Sequence, residues 1–180
     1  MNDTITGESF MQEVLQVFPG AQRALFRKYH IGGCSSCGFG PEETLAGVCE
    51  RNGDLPVDEV IEKIQQSHEE DTRILLEPTD LAKRLAKGED IRLVDIRSRE
   101  EFEAVHIDGS VLLTQPLMQE ILGSWDNDQR FVMIDHQGQK GLDAAAYYLG
   151  HGMPNVHALR GGIDAWSLEV DSSIRRYTLS

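Results

Sequence analysis

The 180-residue sequence predicts an α/β protein: a parallel sheet with helices on both faces, preceded by a small all-α domain of about four helices. Three observations predict it. Over residues 9–66 apolar side chains recur at helical spacing and no strand pattern interrupts them. From residue 74 short apolar runs alternate with amphipathic stretches, the pattern of strands buried on both faces. Between the two stands a polar run, HEEDTR, where the period changes. The expected boundaries are 1–67 for the helical domain with its CxxC loop, 68–73 for a linker and 74–180 for the α/β domain.

In the first region SFMQEVLQVF puts Phe10, Val14, Leu15 and Val17 or Phe18 on one helical face, and Pro19-Gly20 ends it. AQRALFRKYH repeats the pattern with Ala24, Leu25 and Tyr29. After the loop IGGCSSCGFG, Pro41 suits a first helical position, and ETLAGVCERNG carries Leu45, Val48 and Cys49 on one face before Asn52-Gly53 stops it. PVDEVIEKIQQ, with Val57, Val60, Ile61 and Ile64, is a fourth amphipathic helix. In the second region RILLE, IRLVDIR, SVLL, RFVMID and NVHAL are the strand candidates. Helices are expected near PTDLAKRLAKG, SREEFEAV, QPLMQEILGSW, KGLDAAAYYLGHG and GIDAWSLEV. In such sheets function sits at the carboxyl ends of strands, where Asp95 and Asp135 both fall.

The net charge of −13 is spread along the chain, with 13 acidic against 6 basic side chains over residues 1–73 and 17 against 11 over 74–180. Neither half has the basic surface of a nucleic-acid or anionic-membrane binder. The start, MNDTITGESFMQEV, has no basic segment followed by an apolar run, and no stretch approaches eighteen apolar residues, so a cytoplasmic location is expected. The acidic runs Glu42-Glu43, Glu69-Glu70-Asp71 and Glu100-Glu101 read as solvated faces or helix starts.

Three stretches of the second region, in this order and spacing, carry a resemblance: LVDIRSREEFEAVHIDGS, VMIDHQGQKGLDAAAYYLGHGM and NVHALRGGIDAW. Over about residues 74–170 they resemble the rhodanese (sulfurtransferase) family, with its Asp-x-Arg and His-Ile-x-Gly patterns, its active-site strand, loop and helix, and its closing L-x-G-G-x-x-x-W. The resemblance implies a rhodanese-like sheet, structural roles for Asp95 and His106, and fold-determining roles for Gly161, Gly162 and Trp166. It also implies that the first residue of the loop should be a cysteine carrying a persulfide, surrounded by backbone N–H groups. That position is Asp135, and the second region contains no cysteine. The loop Asp135-His136-Gln137-Gly138-Gln139-Lys140 keeps the family's six-residue length, its glycine and a cation at its end.

Sulfane-sulfur transfer needs a thiolate that attacks and then releases sulfur, which a carboxylate cannot do. Asp135 is expected instead to fill the cradle as a built-in anion, accepting N–H bonds, stabilised as the ion and paired with Lys140. His136 is the one histidine whose position suggests function. Asp135 as a phosphoryl-accepting nucleophile would want a metal held by further carboxylates, and the one Asp-x-Asp, Asp126-Asn127-Asp128, precedes the strand. Tyrosine-phosphatase-like chemistry also needs a loop cysteine.

The three cysteines, Cys34, Cys37 and Cys49, lie in the first third. FPGAQRALFRKYHIGGCSSCGFGPEETL resembles a small helical domain that occurs beside hybrid-cluster proteins and in other sulfur or redox chains. Cys34 and Cys37 have the spacing of zinc or iron–sulfur ligands, with Cys49, His30 or the same pair from a homodimer partner as further donors. A redox or sulfur-carrying pair, its thiol pKa lowered by the following helix N-terminus, is the second reading, and a tight packed loop the third. Cys49, on an apolar face, is expected to behave as a small hydrophobe and His30 as a helix-terminal cation. Two function classes follow. One is a non-catalytic rhodanese-like binding or regulatory module joined to a redox- or metal-responsive CxxC domain, with a protein partner in sulfur or redox metabolism. The other is a sulfur relay with the persulfide on Cys34 or Cys37.

Overall fold

The computed structural model describes residues 4–32 and 38–178. Cys34 and Cys37 lie outside the described residues. The chain divides into two compact units, Met1–Thr72 and Arg73–Ser180.

The first unit is built from α1 (Met11–Val17), α2 (Ala21–Tyr29), α3 (Leu45–Arg51) and most of α4 (Val57–Ile74). Its core gathers Met11, Val14, Phe18, Leu25, Leu45, Val48, Cys49, Val60 and Ile64, all nearly inaccessible to solvent. Two sequence expectations shift here. Phe10 lies outside the helix as its N-cap and is exposed, and Met11 takes the inward place one residue on. The third helix starts at Leu45 rather than Pro41, because Thr44 caps it by accepting the Gly47 N–H at 3.1 Å.

A larger difference lies at residues 68–73, expected to be a linker. They are helical, as the last turns of α4. Polarity suggested a linker, yet HEEDTR has neither Gly nor Pro, and Glu and Arg are good helix formers, so nothing stops the helix there. Two of these residues also have partners in the first unit: His68 meets Phe18 edge-on with ring centroids 5.0 Å apart, and buried Asp71 forms an ion pair with Arg23.

The second unit is α/β. Five parallel strands, β1 (Leu75–Leu76), β2 (Ile91–Asp95), β3 (Ser110–Leu112), β4 (Arg130–Ile134) and β5 (Val156–Leu159), stand in the order β1-β5-β4-β2-β3. Successive residues of β4 feed opposite faces. Phe131 and Met133 join Val94, Ala158, Ile121 of α7 (Gln115–Gly123) and Leu142 and Ala145 of α8 (Gln139–Gly150). Val132 and Ile134 join Leu93, Leu159, Leu81 of α5 (Pro78–Ala86) and Ile163 and Trp166 of α9 (Gly162–Glu169). Burying each such side chain stabilises the sheet by about 1.5–3 kcal/mol, which explains why the central strands are apolar at consecutive positions. The short α6 (Arg99–Ala104) precedes β3. In register, Asp95 pairs with Ile134, so the carboxyl ends of β2 and β4 lie side by side. No helix among the described residues is long and apolar enough to cross a membrane.

Candidate functional site

The chain leaves β4 at Asp135 and enters α8 at Gln139. Between them the backbone folds back on the Asp135 carboxylate: Oδ1 accepts the Gly138 N–H at 2.6 Å and Oδ2 the Lys140 N–H at 2.9 Å. Asp135 is thus an internal cap on the start of α8, the place where a helix favours negative charge. Gly138, with φ +97°, makes the turn.

The base of the loop is the turn into α9. A Cβ on Gly162, where φ is +61°, would stand 2.5 Å from the Asp135 carbonyl oxygen and 2.6 Å from the His136 carbonyl atoms. A Cβ on Gly138 would stand 2.7 Å from the Gly161 nitrogen. Because both glycines lack side chains, the two backbones meet, and α9 donates Ile163 N–H to the Asp135 carbonyl at 2.9 Å and Asp164 N–H to that of His136 at 3.1 Å.

Asp135 is 4% exposed. Burial pushes its pKa up, and the N–H groups of Gly138, Gly141 and Lys140 pull it back only in part. This departs from the expectation of a carboxylate stabilised as the ion, because desolvation outweighs the donors. The expected Lys140 pairing is also not what holds it: Lys140 contributes its backbone N–H, and its side chain is exposed, as are Gln137 and Gln139. A stability signature follows. The folded pKa lies above the ordinary 3.8, so the folded state holds the proton more tightly than the unfolded chain. The associated stability is complete below about pH 3.8 and is lost as pH rises through the folded value. Relative to Asp135→Asn, the wild type is expected to lose stability over that window in denaturant titrations at a series of pH values.

Beside the loop is a second polar assembly, of which the sequence pointed to Asp95 as structural but not to Tyr177. Asp95 is fully buried, and Arg97 binds it through Nε at 3.0 Å and Nη2 at 2.7 Å. The same guanidinium donates to the Val105 carbonyl at 2.8 Å and to the Tyr177 hydroxyl at 2.8 Å. Tyr177 in turn donates to Glu101 at 2.7 Å, and Glu101 caps α6 by accepting the Ser98 N–H. Burial, helped by Glu101 and opposed by Arg97, pushes the Tyr177 phenol up to about 12, which keeps its donor proton in place. The hydrogen bonds from Tyr177 and Ser98 outweigh burial at Glu101 and hold its carboxyl below the usual range.

Tyr177 joins this assembly to the loop. Its ring stacks on His136 with centroids 4.3 Å apart, and His136 Nε2–H donates to its carbonyl at 3.0 Å. Arg176 forms a bidentate pair with Asp164, at 2.6 and 2.9 Å. The segment after α9 therefore lies against the loop. Tyr177 follows the last helix in a stretch without periodicity, and only the Asp-x-Arg motif pointed at its partner.

A protein-family model described as a rhodanese-like domain matches residues 77–169. The chain belongs to the rhodanese-like family. Among curated relatives, the thiosulfate sulfurtransferase GlpE of Shewanella oneidensis is 30% identical over 82 residues, covering 46% of this chain and 81% of that protein. GlpE of Pseudomonas syringae pv. syringae is 34% identical over 74 residues, covering 41% and 70%. Among solved structures, reduced Bacillus anthracis CoADR-RHD superposes with a TM-score of 0.50 at 18% identity over 68% of this chain and 21% of that one, a likeness of fold alone.

Within the rhodanese-like domain, the loop and the Asp95–Arg97 pair share the carboxyl-terminal edge of the sheet, whereas Asp126 and Asp128 precede β4. Among the described residues no group of three or more His, Cys, Asp or Glu side chains is placed to hold a metal ion. His106 is exposed, its ring stacked on Phe102 and its Nδ1–H donating to the Phe102 carbonyl at 2.8 Å. In the first unit Cys49 is 1% exposed, and burial pushes its thiol pKa up, the environment of a core side chain rather than an accessible ligand. His30 is exposed and forms the left-handed C-cap of α2.

Proposed function

We propose that this rhodanese-like protein serves sulfur or redox metabolism without carrying sulfur on its rhodanese loop. Asp135 stands at the family's cysteine position, and the observation that carries this reading is the pair of N–H bonds on its carboxylate. A cysteine persulfide places its outer sulfur three bonds from Cα, as far along the side chain as a carboxylate oxygen of aspartate. Asp135 therefore fills the cradle as a permanent stand-in for the sulfur-loaded state. The stacked Tyr177 adds a cover on His136. Such a loop binds or regulates rather than transfers, and an apolar cavity of about 420 Å³ between α6 and Tyr177, lined by Ala104 and Val105, offers a protein partner a foothold. The N-terminal CxxC, Cys34 and Cys37, supplies the redox- or metal-responsive element, with zinc or an iron–sulfur cluster as its cofactor candidates.

A second reading has one observation in its favour: Cys49 is sealed in the core, which leaves Cys34 and Cys37 as the remaining thiols. On that reading the protein is a sulfur relay with the persulfide on one of them. Thiosulfate-to-cyanide transfer, measured on the full chain and on Cys34→Ser/Cys37→Ser, separates the two. The first reading predicts no transfer above background in either protein, and the relay predicts transfer that the double substitution abolishes. Transfer that survives the double substitution and is lost in Asp135→Asn would contradict both.

A further inference from the structure

At the end of the sheet opposite Asp135, where β2, β4 and β5 begin, lies a polar cavity of about 400 Å³. Arg84 of α5, Glu89 of the turn after it, Arg130 of β4 and Asn155 and His157 around β5 line it. Its charges do not balance. Glu89 is engaged by Arg130 at 3.2 Å, and the Arg84 guanidinium makes no hydrogen bond or ion pair among the described residues. Two guanidiniums around one imidazole are out of keeping with a chain of net charge −13.

The imidazole is set up to respond. His157 Nδ1–H donates to the Asn155 carbonyl at 3.2 Å, which fixes the neutral tautomer and leaves Nε2 as the ring's free nitrogen. Burial first, then Arg84 and Arg130, hold its pKa below the usual histidine value, so the ring is neutral at pH 7 in the protein alone.

We propose that this cavity binds a tetrahedral oxyanion, either a free ion or the phosphate of a larger small molecule, between the Arg84 and Arg130 guanidiniums and His157. Planar guanidinium forks match sulfate and phosphate oxygens in a way that a point charge does not. The cavity volume lies in the range of small-molecule sites, with room for more than the ion. An anion between the two arginines offsets the repulsion that they add to burial in keeping a proton off His157. The ring then gains a proton at Nε2 and donates it to the anion as a hydrogen bond. Binding and protonation are coupled reciprocally, each favouring the other by the same factor. The groups that set this balance are Arg84 from α5, Arg130 from β4 and Glu89, whose carboxylate opposes the anion and keeps the site selective for ligands that engage Arg84.

The test is the pKa of His157, read by NMR of its imidazole carbons in the full chain, in sodium sulfate and in sodium chloride at equal ionic strength. Sulfate keeps its charge across the histidine range, so the titration belongs to the protein. Sulfate is expected to raise the His157 pKa by about one unit, a tenfold coupling, with no movement of exposed His106 and His151. Arg84→Gln, which spares the buried residues of α5, Pro78 and Leu81, is expected to remove most of the rise. Titration with adenosine monophosphate and with inorganic phosphate then identifies the source. Saturation at tenfold lower concentration by the nucleotide means the phosphate of a larger molecule, and equal midpoints mean the free ion. An identical His157 pKa in sulfate and chloride, or an undiminished rise in Arg84→Gln, overturns the proposal.

Discussion

Replacing Arg97 by methionine is expected to destabilise the rhodanese-like domain by about 3–5 kcal/mol, the largest loss of any single substitution considered. The side chains of Arg97 and Asp95 are 2% and 0% exposed, so the change leaves a carboxylate in the interior without its countercharge. The Val105 carbonyl and the Tyr177 hydroxyl lose a donor at the same time. Desolvation opposes the charge on Arg97, yet the hydrogen bonds it donates to Asp95 and Tyr177 raise its pKa, which marks the pair as mutually dependent. Removing both charges, as Asp95→Leu/Arg97→Met, is expected to recover a large part of the loss, because no unpaired charge remains. Urea denaturation of the single and double variants checks both statements. If Arg97→Met cost less than about 1 kcal/mol, the buried pair would not be what fixes the end of β2 beside the loop.

The second large effect is a gain of chemistry. Asp135→Cys is expected to turn the loop into a sulfur acceptor, from no uptake to near-complete loading by thiosulfate. The thiol sulfur would take the place of the Asp135 Cγ, next to the Gly138 and Lys140 N–H groups that now bond the carboxylate oxygens, at the first turn of the twelve-residue α8. Those donors favour the thiolate, the reactive form. The thiolate attacks the outer sulfur of thiosulfate, the sulfur–sulfur bond breaks, and sulfite leaves with the electron pair. Space for the new sulfur exists because Gly141 has no Cβ: one built there would lie 3.1 Å from the present Asp135 Oδ1. Gly138 and Gly162 keep the loop backbone in place whatever occupies it.

Much of this was legible in the sequence, for physical reasons that differ from residue to residue. The sheet was legible because β4 must be apolar on both faces, so RFVMID announces a buried strand and Asp135 announces its end. Cys49 was legible from its spacing with Leu45 and Val48, and it packs in the core with them. The helical character of residues 68–73 was not, since polarity marks exposure while backbone propensity decides whether a helix continues. Tyr177 was not legible either. Its partners Arg97, Glu101 and His136 are far away in sequence, and a contact made once, in a non-helical stretch after α9, leaves no period to read. The direction of the Asp135 pKa shift was not legible for a related reason: the N–H donors can be inferred from a loop before a helix, but the depth of burial depends on the α9 turn packed beneath it.

The most direct test of the central claim is the intact mass of Asp135→Cys, in a Cys34→Ser/Cys37→Ser background, after thiosulfate treatment and removal of excess reagent. The account predicts one added sulfur, about 32 Da, removed by reductant and absent from the same background with Asp135 in place. An unmodified Asp135→Cys thiol, or an equal adduct on the protein that retains Asp135, would contradict the claim that Asp135 occupies a sulfur-binding cradle.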